Sequence, residues 1–369
     1  MSYQSGKMGI SEGMALVFMV TFVPVFQSIW SITIDRAEGA AWMIPVINGI
    51  LTICVFLLLL YVMERVPGDL IDVSGKLLGR PVAMLIGLVY FAHFYIEAAL
   101  LLREFAENTL LTALPYLEFS VAILFYSSVA AVILYIGIEP LARGAYIVMP
   151  VLVSGVLMVV IFLYPKFIFL QLAPWQGPGL TVVLINGVQV SGFNFGLLLL
   201  PILGRSLHDI ATIRYAALYG FGLSILMRVV MLLGFTLVFG AGAGREKMLP
   251  FFEMTRAVYT SRYLQRIESL FILMWVIVGV LAIALTLYVS IYIIGRMFDL
   301  PTLRPLVIPA TLVAAQIAML PPDITSVLLL HANLITAWYN IGAIIIPLFI
   351  AAAFFVRRKG GKKTWPSGC

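Results

Sequence analysis

Charge is scarce in this chain, and that scarcity excludes most soluble architectures. Asp, Glu, Lys and Arg supply 11% of the 369 residues while hydrophobic residues supply 62%, and the mean hydropathy is +1.08. No single water-soluble core holds so much apolar surface at this length. Cysteine is almost absent: Cys54 lies inside an apolar run and Cys369 is the last residue, which argues against an internal disulfide. His93, His208 and His331 sit on separate segments, and no Cys, His or carboxylate cluster has the spacing of metal ligands. A phosphate loop, a Rossmann glycine pattern and a Gly-x-Ser-x-Gly elbow are all missing. The stretches between apolar runs are too short for a folded catalytic or nucleic-acid-binding head, so neither an enzyme, a cofactor nor a nucleic-acid partner is expected. One Lys precedes Ser11 and no small-residue cleavage pattern follows the first run, so that run is expected to stay as an anchor.

What is present is about ten apolar runs, each near the ~20 residues that cross a bilayer as a helix. They fall at 11–31, 41–63, 82–106, 119–138, 145–164, 181–202, 215–239, 267–295, 305–320 and 336–356. The expected fold class is an all-α integral membrane protein: one transmembrane domain over 1–369, set in a lipid bilayer and ending in a basic tail over 357–369. Lys and Arg placement orients such a protein. Cytoplasmic amino and carboxyl termini put Arg65, Lys76, Arg80, Arg143, Arg205, Arg214, Arg296, Arg304 and the tail on the cytoplasmic side. The opposite side keeps Arg36, Lys166 and a cluster from Arg245 to Arg266 in the longest loop, where the rule binds least.

A broken helix leaves backbone groups unpaired in lipid, so breaks survive only where protein or a polar cavity covers them. Two runs look broken at mid-membrane. In the first, Thr21-Phe22-Val23-Pro24-Val25-Phe26-Gln27 carries a proline, which removes an amide donor and frees carbonyls in the preceding turn. In the sixth, Gln189-Val190-Ser191-Gly192-Phe193-Asn194-Phe195-Gly196 mixes glycines with polar side chains and makes a poor continuous helix. The two runs correspond if the chain divides into five-span halves over 10–164 and 181–356, and paired interruptions of this kind point to an inverted-repeat transporter fold with a midplane site. His93 and Glu97 lie one turn apart on one face of the third span and are candidates to line that site. Arg103, Glu104 and Glu107, nearer the span's end, are expected at the interface. Arg228 is given no role, being read as a snorkelling or neighbour-paired side chain. The segment from Leu249 to Ser261 is a short amphipathic pattern and is expected to form a helix on the outer face.

Several motifs resemble a known family in order along the chain. Leu78-Gly79-Arg80 looks like that family's Leu-Gly-Lys before span three, and Arg103-Glu104-Phe105-Ala106-Glu107, followed by Pro115, resembles its span-three ending. Ile136-Gly137-Ile138-Glu139 to Arg143 matches a Gly-x-Glu…Arg stretch after span four, and Pro322-Asp323 fits before the last span. The most specific match runs from Tyr263 to Trp275, an Arg-x-Glu-Ser…Trp pattern at the start of span eight. The family is that of the GerAB-type spore germination permeases, in the amino acid–polyamine–organocation superfamily. The resemblance implies a LeuT-type five-plus-five inverted repeat in which discontinuous spans one and six, with spans three and eight, surround a germinant pocket. It implies a B-type subunit of a nutrient germinant receptor, working with A and C subunits in the spore inner membrane. It places the ligand site at Phe22 to Val25, His93, Val190 to Phe193 and Ala282.

Two departures bear on the ligand. Relatives usually carry glycine at the first break, and this chain has none between Gly13 and Gly39; many follow the span-six glycine with Glu, where Phe193 and Asn194 follow Gly192 here. An amino-acid ligand needs donors for its carboxylate, which helix amino ends at the breaks supply, and acceptors for its ammonium from freed carbonyls or Glu97. A secondary amino-acid transporter would share all these features, and uptake into proteoliposomes separates transporter from sensor.

Overall fold

The computed structural model describes residues 7–27, 30–258 and 267–359. Its described residues are helical, with no β-strand and only an isolated bridge between Met8 and Leu207. Among the described residues eight helices are long and apolar enough to cross a membrane: Met43–Met63 (span 2), Arg80–Thr112 (span 3), Phe119–Ile136 (span 4), Ile138–Lys166 (span 5), Leu180–Ile202 (span 6), Ile210–Gly244 (span 7), a helix reaching Met297 (span 8) and Ile324–Arg358 (span 10). Two shorter apolar helices complete the set: Ile10–Phe26, which with Trp30–Ala37 forms span 1, and Arg304–Met319, span 9. Span 8 starts at Ile267.

Burial sorts the spans. Ala15 to Phe22 of span 1 are buried on every side, the pattern of a helix enclosed by protein. Spans 4 and 5 bury only 33% and 28% of their apolar windows, so they face lipid at the periphery. Span 1 packs along span 7, and span 3 along span 8.

Two boundaries differ from the sequence expectation. Span 3 runs on to Thr112, so Glu104 is fully buried inside the bundle and not at the interface. Span 10 begins at Ile324, capped by Asp323, whose carboxylate accepts from Ser326 N at 2.7 Å. Its first dozen residues include Thr325, Ser326, His331 and Asn333, which depress local hydropathy and hide the span from a composition window. Span 10 also carries two π-helical stretches, Leu334–Trp338 and Ile341–Ile345. The second ends two residues before Pro347, whose ring displaces the carbonyl four residues back.

Two short helices sit outside the spans. Leu70–Leu78 follows span 2 and is capped by Asp69, whose side chain accepts from Asp72 N. Asp69 and Asp72 then clasp two arginines: Arg296 at the end of span 8 (2.9 and 3.0 Å) and Arg205 after span 6 (3.3 and 2.8 Å). On the opposite side Pro250–Ala257 forms a helix with proline in its first turn, as expected for this segment; Ser261 lies outside the described residues, as do the first four residues of the Tyr263 to Trp275 motif. Phe251 and Met254 on this helix are buried, and the Phe251 ring meets Phe26 edge-on at 5.7 Å, just past the span 1 break.

Candidate functional site around the breaks of spans 1 and 6

Span 1 leaves α-helical geometry at Phe22; Val23–Phe26 is a 3₁₀ turn with Pro24 in its first two positions, and Gln27 is extended. Span 6 is α-helical to Gln189 and then 3₁₀ from Val190 to Leu198, nine residues in a geometry that rarely holds for more than four. The breaks lie against one another. A Cβ on Gly196 would stand 2.2 Å from Val20 Cγ1, and the Trp30 indole stacks on Phe193 at 5.6 Å with the planes 3° apart. The Trp30 N–H donates to the carbonyl of Pro24, one of the groups the proline turn exposes.

Each expected site residue has a definite position. Thr21 is buried with its hydroxyl on Val17 O, Phe22 stacks on Phe18 at 4.7 Å, and Val23, Pro24 and Val25 are buried. Val190, Ser191, Gly192 and Phe193 are buried, whereas Gln189 is exposed and its carbonyl accepts from Asn340 of span 10. Ala282 is buried on span 8, with its carbonyl taken by Thr286. His93 is buried, and its ring lies 6.0 Å from Phe195 of the span 6 break and 5.3 Å from Tyr339 of span 10. His93 and Glu97 do not bond to one another. His93 Nε2 lies 2.8 Å from Trp338 O, and Glu97 Oε2 lies 3.0 Å from His331 Nε2.

The sequence reading missed two participants. Span 10 is wedged into the span 6 break: a Cβ on Gly192 would lie 2.1 Å from Ile335 O, so only glycine admits this approach. The π geometry of span 10 is the signal, since a widened turn frees carbonyls that Nε2 of His93 then meets. The second is Arg228 of span 7, fully buried, which donates from Nη2 to Asn194 Oδ1 at 2.9 Å. Asn194 in turn donates to Asn48 Oδ1 at 3.0 Å and Thr52 Oγ1 at 3.1 Å of span 2. These partners are neutral, Arg228 Nε and Nη1 have no hydrogen-bond partner, and no carboxylate pairs with it among the described residues. A cation placed at depth marks a functional position more often than a structural one.

Two clefts flank the breaks, about 20 Å³ beside Phe193, Thr33 and Thr336 and about 10 Å³ beside Val25, Gln27 and Phe251, each the room of one water. A cleft of about 330 Å³ lies elsewhere, at the clasp side between the ends of spans 4 and 8 and the start of span 9. A ligand larger than a water entering either cleft displaces side chains, and Phe193 of the Trp30–Phe193 stack lines the first of them.

Solved structures of the same architecture are known. The chain covers 97% of itself and 82% of MHP1, a nucleobase-cation-symport-1 family transporter solved closed with bromovinylhydantoin bound, at TM-score 0.68 and 15% identity. It covers 93% of itself and 97% of MhsT solved with L-phenylalanine, at 0.66 and 15%. The manganese transporter of Eremococcus coleocola matches over 93% of this chain and 77% of its own, at 0.62 and 13%. No curated protein matches by sequence. At these identities the likeness shows the fold: a LeuT-type bundle with spans 1 and 6 discontinuous. Residues 10–327 match the family described as spore germination protein, and with most of its length covered the chain belongs to that family.

Proposed function

We propose that this protein is the B-type subunit of a spore nutrient germinant receptor, binding a small carboxylate-bearing nutrient, an amino acid, where the breaks of spans 1 and 6 meet. It works with A and C subunits in the spore inner membrane, with both termini in the cytoplasm. The observation that carries the ligand class is Arg228. Its charge is desolvated and uncompensated, one amide away from the broken backbone of span 6, and an anionic group is what such a site attracts. Asn194 relays that potential to the break, while the Pro24 turn and the carbonyls of span 10 offer acceptors for an ammonium. Trp30, Phe193, Phe195 and Tyr339 supply the apolar wall.

The membrane architecture and the transporter-like relatives argue for binding or passage of a solute and against a bond-making reaction. The test is equilibrium binding of a panel of radiolabelled amino acids to the full chain in liposomes, run beside uptake into the same vesicles. Saturable binding without accumulation supports the receptor subunit. Accumulation inside the vesicles supports the second reading, a secondary amino-acid transporter, which the working cycles of the fold's solved relatives favour. No binding of any carboxylate-bearing member of the panel overturns the ligand class.

A further inference from the structure

Spans 3 and 10 run antiparallel and share a polar seam. Tyr90 donates to Gly342 O at 3.0 Å, His93 meets Trp338 O, and farther along Glu97 and Glu104 both reach His331. His331 Nδ1 lies 2.6 Å from Glu104 Oε1 and its Nε2 3.0 Å from Glu97 Oε2, so one imidazole bridges two carboxylates seven residues apart on span 3. All three side chains are buried within the bundle. The Tyr339 ring of span 10 stands edge-on to the imidazole at 6.3 Å. Arg103, adjacent to Glu104 in sequence, is engaged by Glu107 at 2.8 Å and by the Phe119 ring at 4.2 Å, so its charge is already matched.

We propose that Glu97, His331 and Glu104 form an intramembrane proton-binding site that clasps span 3 to span 10. The proton count follows from the contacts. A neutral imidazole has one N–H, yet both ring nitrogens face carboxylate oxygens. A ring nitrogen without a proton turns its lone pair on the carboxylate it faces, so the hydrogen bond to Glu104 and the 3.0 Å contact to Glu97 are both attractive only when the trio holds one proton more than neutral histidine with two carboxylates. That proton sits on the second ring nitrogen or on a glutamate donating to it, and either placement leaves a net charge of −1. A second proton brings the trio to zero, which burial favours. His93 repeats the motif one level along the seam, its ring nitrogens 2.6 and 2.8 Å from the carbonyls of Val89 and Trp338. Separation of spans 3 and 10 admits water, removes the reason for holding the proton and releases it. Any ligand that favours one arrangement of span 10 is then linked to proton uptake, reciprocally. The π stretch Leu334–Trp338, three residues beyond His331, is the local defect through which span 10 can shift.

This proposal does not depend on the nutrient site. The chain has three histidines, His93, His208 and His331, and His208 is exposed. The test is ¹⁵N-histidine NMR with infrared spectroscopy of carboxyl groups on the full chain in liposomes, the resonances assigned with His93→Gln and His208→Gln. The expected result is that the trio keeps its proton, read as a doubly protonated His331 or as a protonated carboxyl band, at a pH above the range in which a model imidazole is charged. Glu104→Gln and Glu97→Gln each abolish that retained proton, and Glu253→Gln on the outer helix leaves it unchanged. Wild-type His331 losing its proton in the range of a model imidazole, with no protonated carboxyl remaining, overturns the proposal without calling on any variant.

Discussion

At the scale of single residues, Arg228 and Gly192 separate electrostatics from shape. Arg228→Met replaces a desolvated cation by an apolar side chain of similar length, a change that in buried ion sites is often neutral or stabilising. The loss of the bond to Asn194 works the other way by ~1 kcal/mol. Abundance and thermal midpoint should therefore stay near wild type while binding of a carboxylate-bearing nutrient weakens about tenfold or more, ~1.4 kcal/mol. Wild-type affinity in that variant would remove Arg228 from recognition. Gly192→Ala tests shape alone: its Cβ meets Ile335 O, so span 10 must retreat at a cost of ~1–3 kcal/mol, read as a lower thermal midpoint. Asp209 caps span 7, accepting from Thr212 Oγ1 at 2.6 Å and Thr212 N at 2.7 Å. Those two bonds hold its carboxyl below the usual range. A lowered carboxyl stabilises above its unfolded pKa, and that contribution disappears as pH falls through the folded value. The gap in thermal midpoint between wild type and Asp209→Asn should thus be present at neutral pH and close in acid.

At the scale of elements, span 10 turns a pair of broken helices into a site. It touches the span 6 break through Ile335 and Asn340 and span 3 through Trp338, Tyr339 and His331. His93→Leu removes the contact to Trp338 O while keeping the helix compatible with the bilayer. On the proposed receptor role, the germinant response should fall while protein in spore membranes stays at normal abundance; a normal response at normal abundance would take His93 out of the site. Glu97→Gln should be milder in the same assay, since the amide still reaches His331. How far such elements were legible follows from their chemistry. Pro24 and the glycines around Gly192 announce both breaks locally, because backbone propensity is written in neighbouring residues. Glu104 and His331 lie 227 positions apart, and nothing local to either records the pairing. Glu104 reads as interfacial and span 10 reads as starting at 336 for the same reason: polar side chains that pair inside the bundle lower local hydropathy as much as polar side chains in water do. Arg228 is given no role by the sequence because its partner is an amide on another span, not an acid at helical spacing.

For the whole molecule, the question is which side of the bundle opens. The Pro250–Ala257 helix covers one end of the break, with Phe251 against Phe26. The other end is held by the Asp69–Asp72 clasp on Arg205 and Arg296, which joins the helix after span 2 to the ends of spans 6 and 8. The two carboxylates differ. Burial raises Asp69 first and foremost, against the pull of Arg296. Asp72 feels burial too, but the bond and charge of Arg205 override it and bring its carboxyl below the ordinary range. As pH falls Asp69 therefore takes a proton first, and Asp72 still bridges both arginines. Because a lowered carboxyl contributes above its unfolded pKa and ceases to as pH drops through its folded value, the clasp should persist until Asp72 titrates. Ser206 is buried beside this junction and lines its 330 Å³ cleft. Its replacement by cysteine, in a background lacking Cys54 and Cys369, gives a reporter for a water-soluble maleimide. Labelling at neutral pH, where the thiolate that attacks the maleimide is available, should rise several-fold on adding Asp72→Asn and change little on adding Asp69→Asn alone. Equal labelling in all three proteins would mean that the clasp side is closed by the packing of spans 1, 6 and 8, with the clasp contributing nothing to the gate.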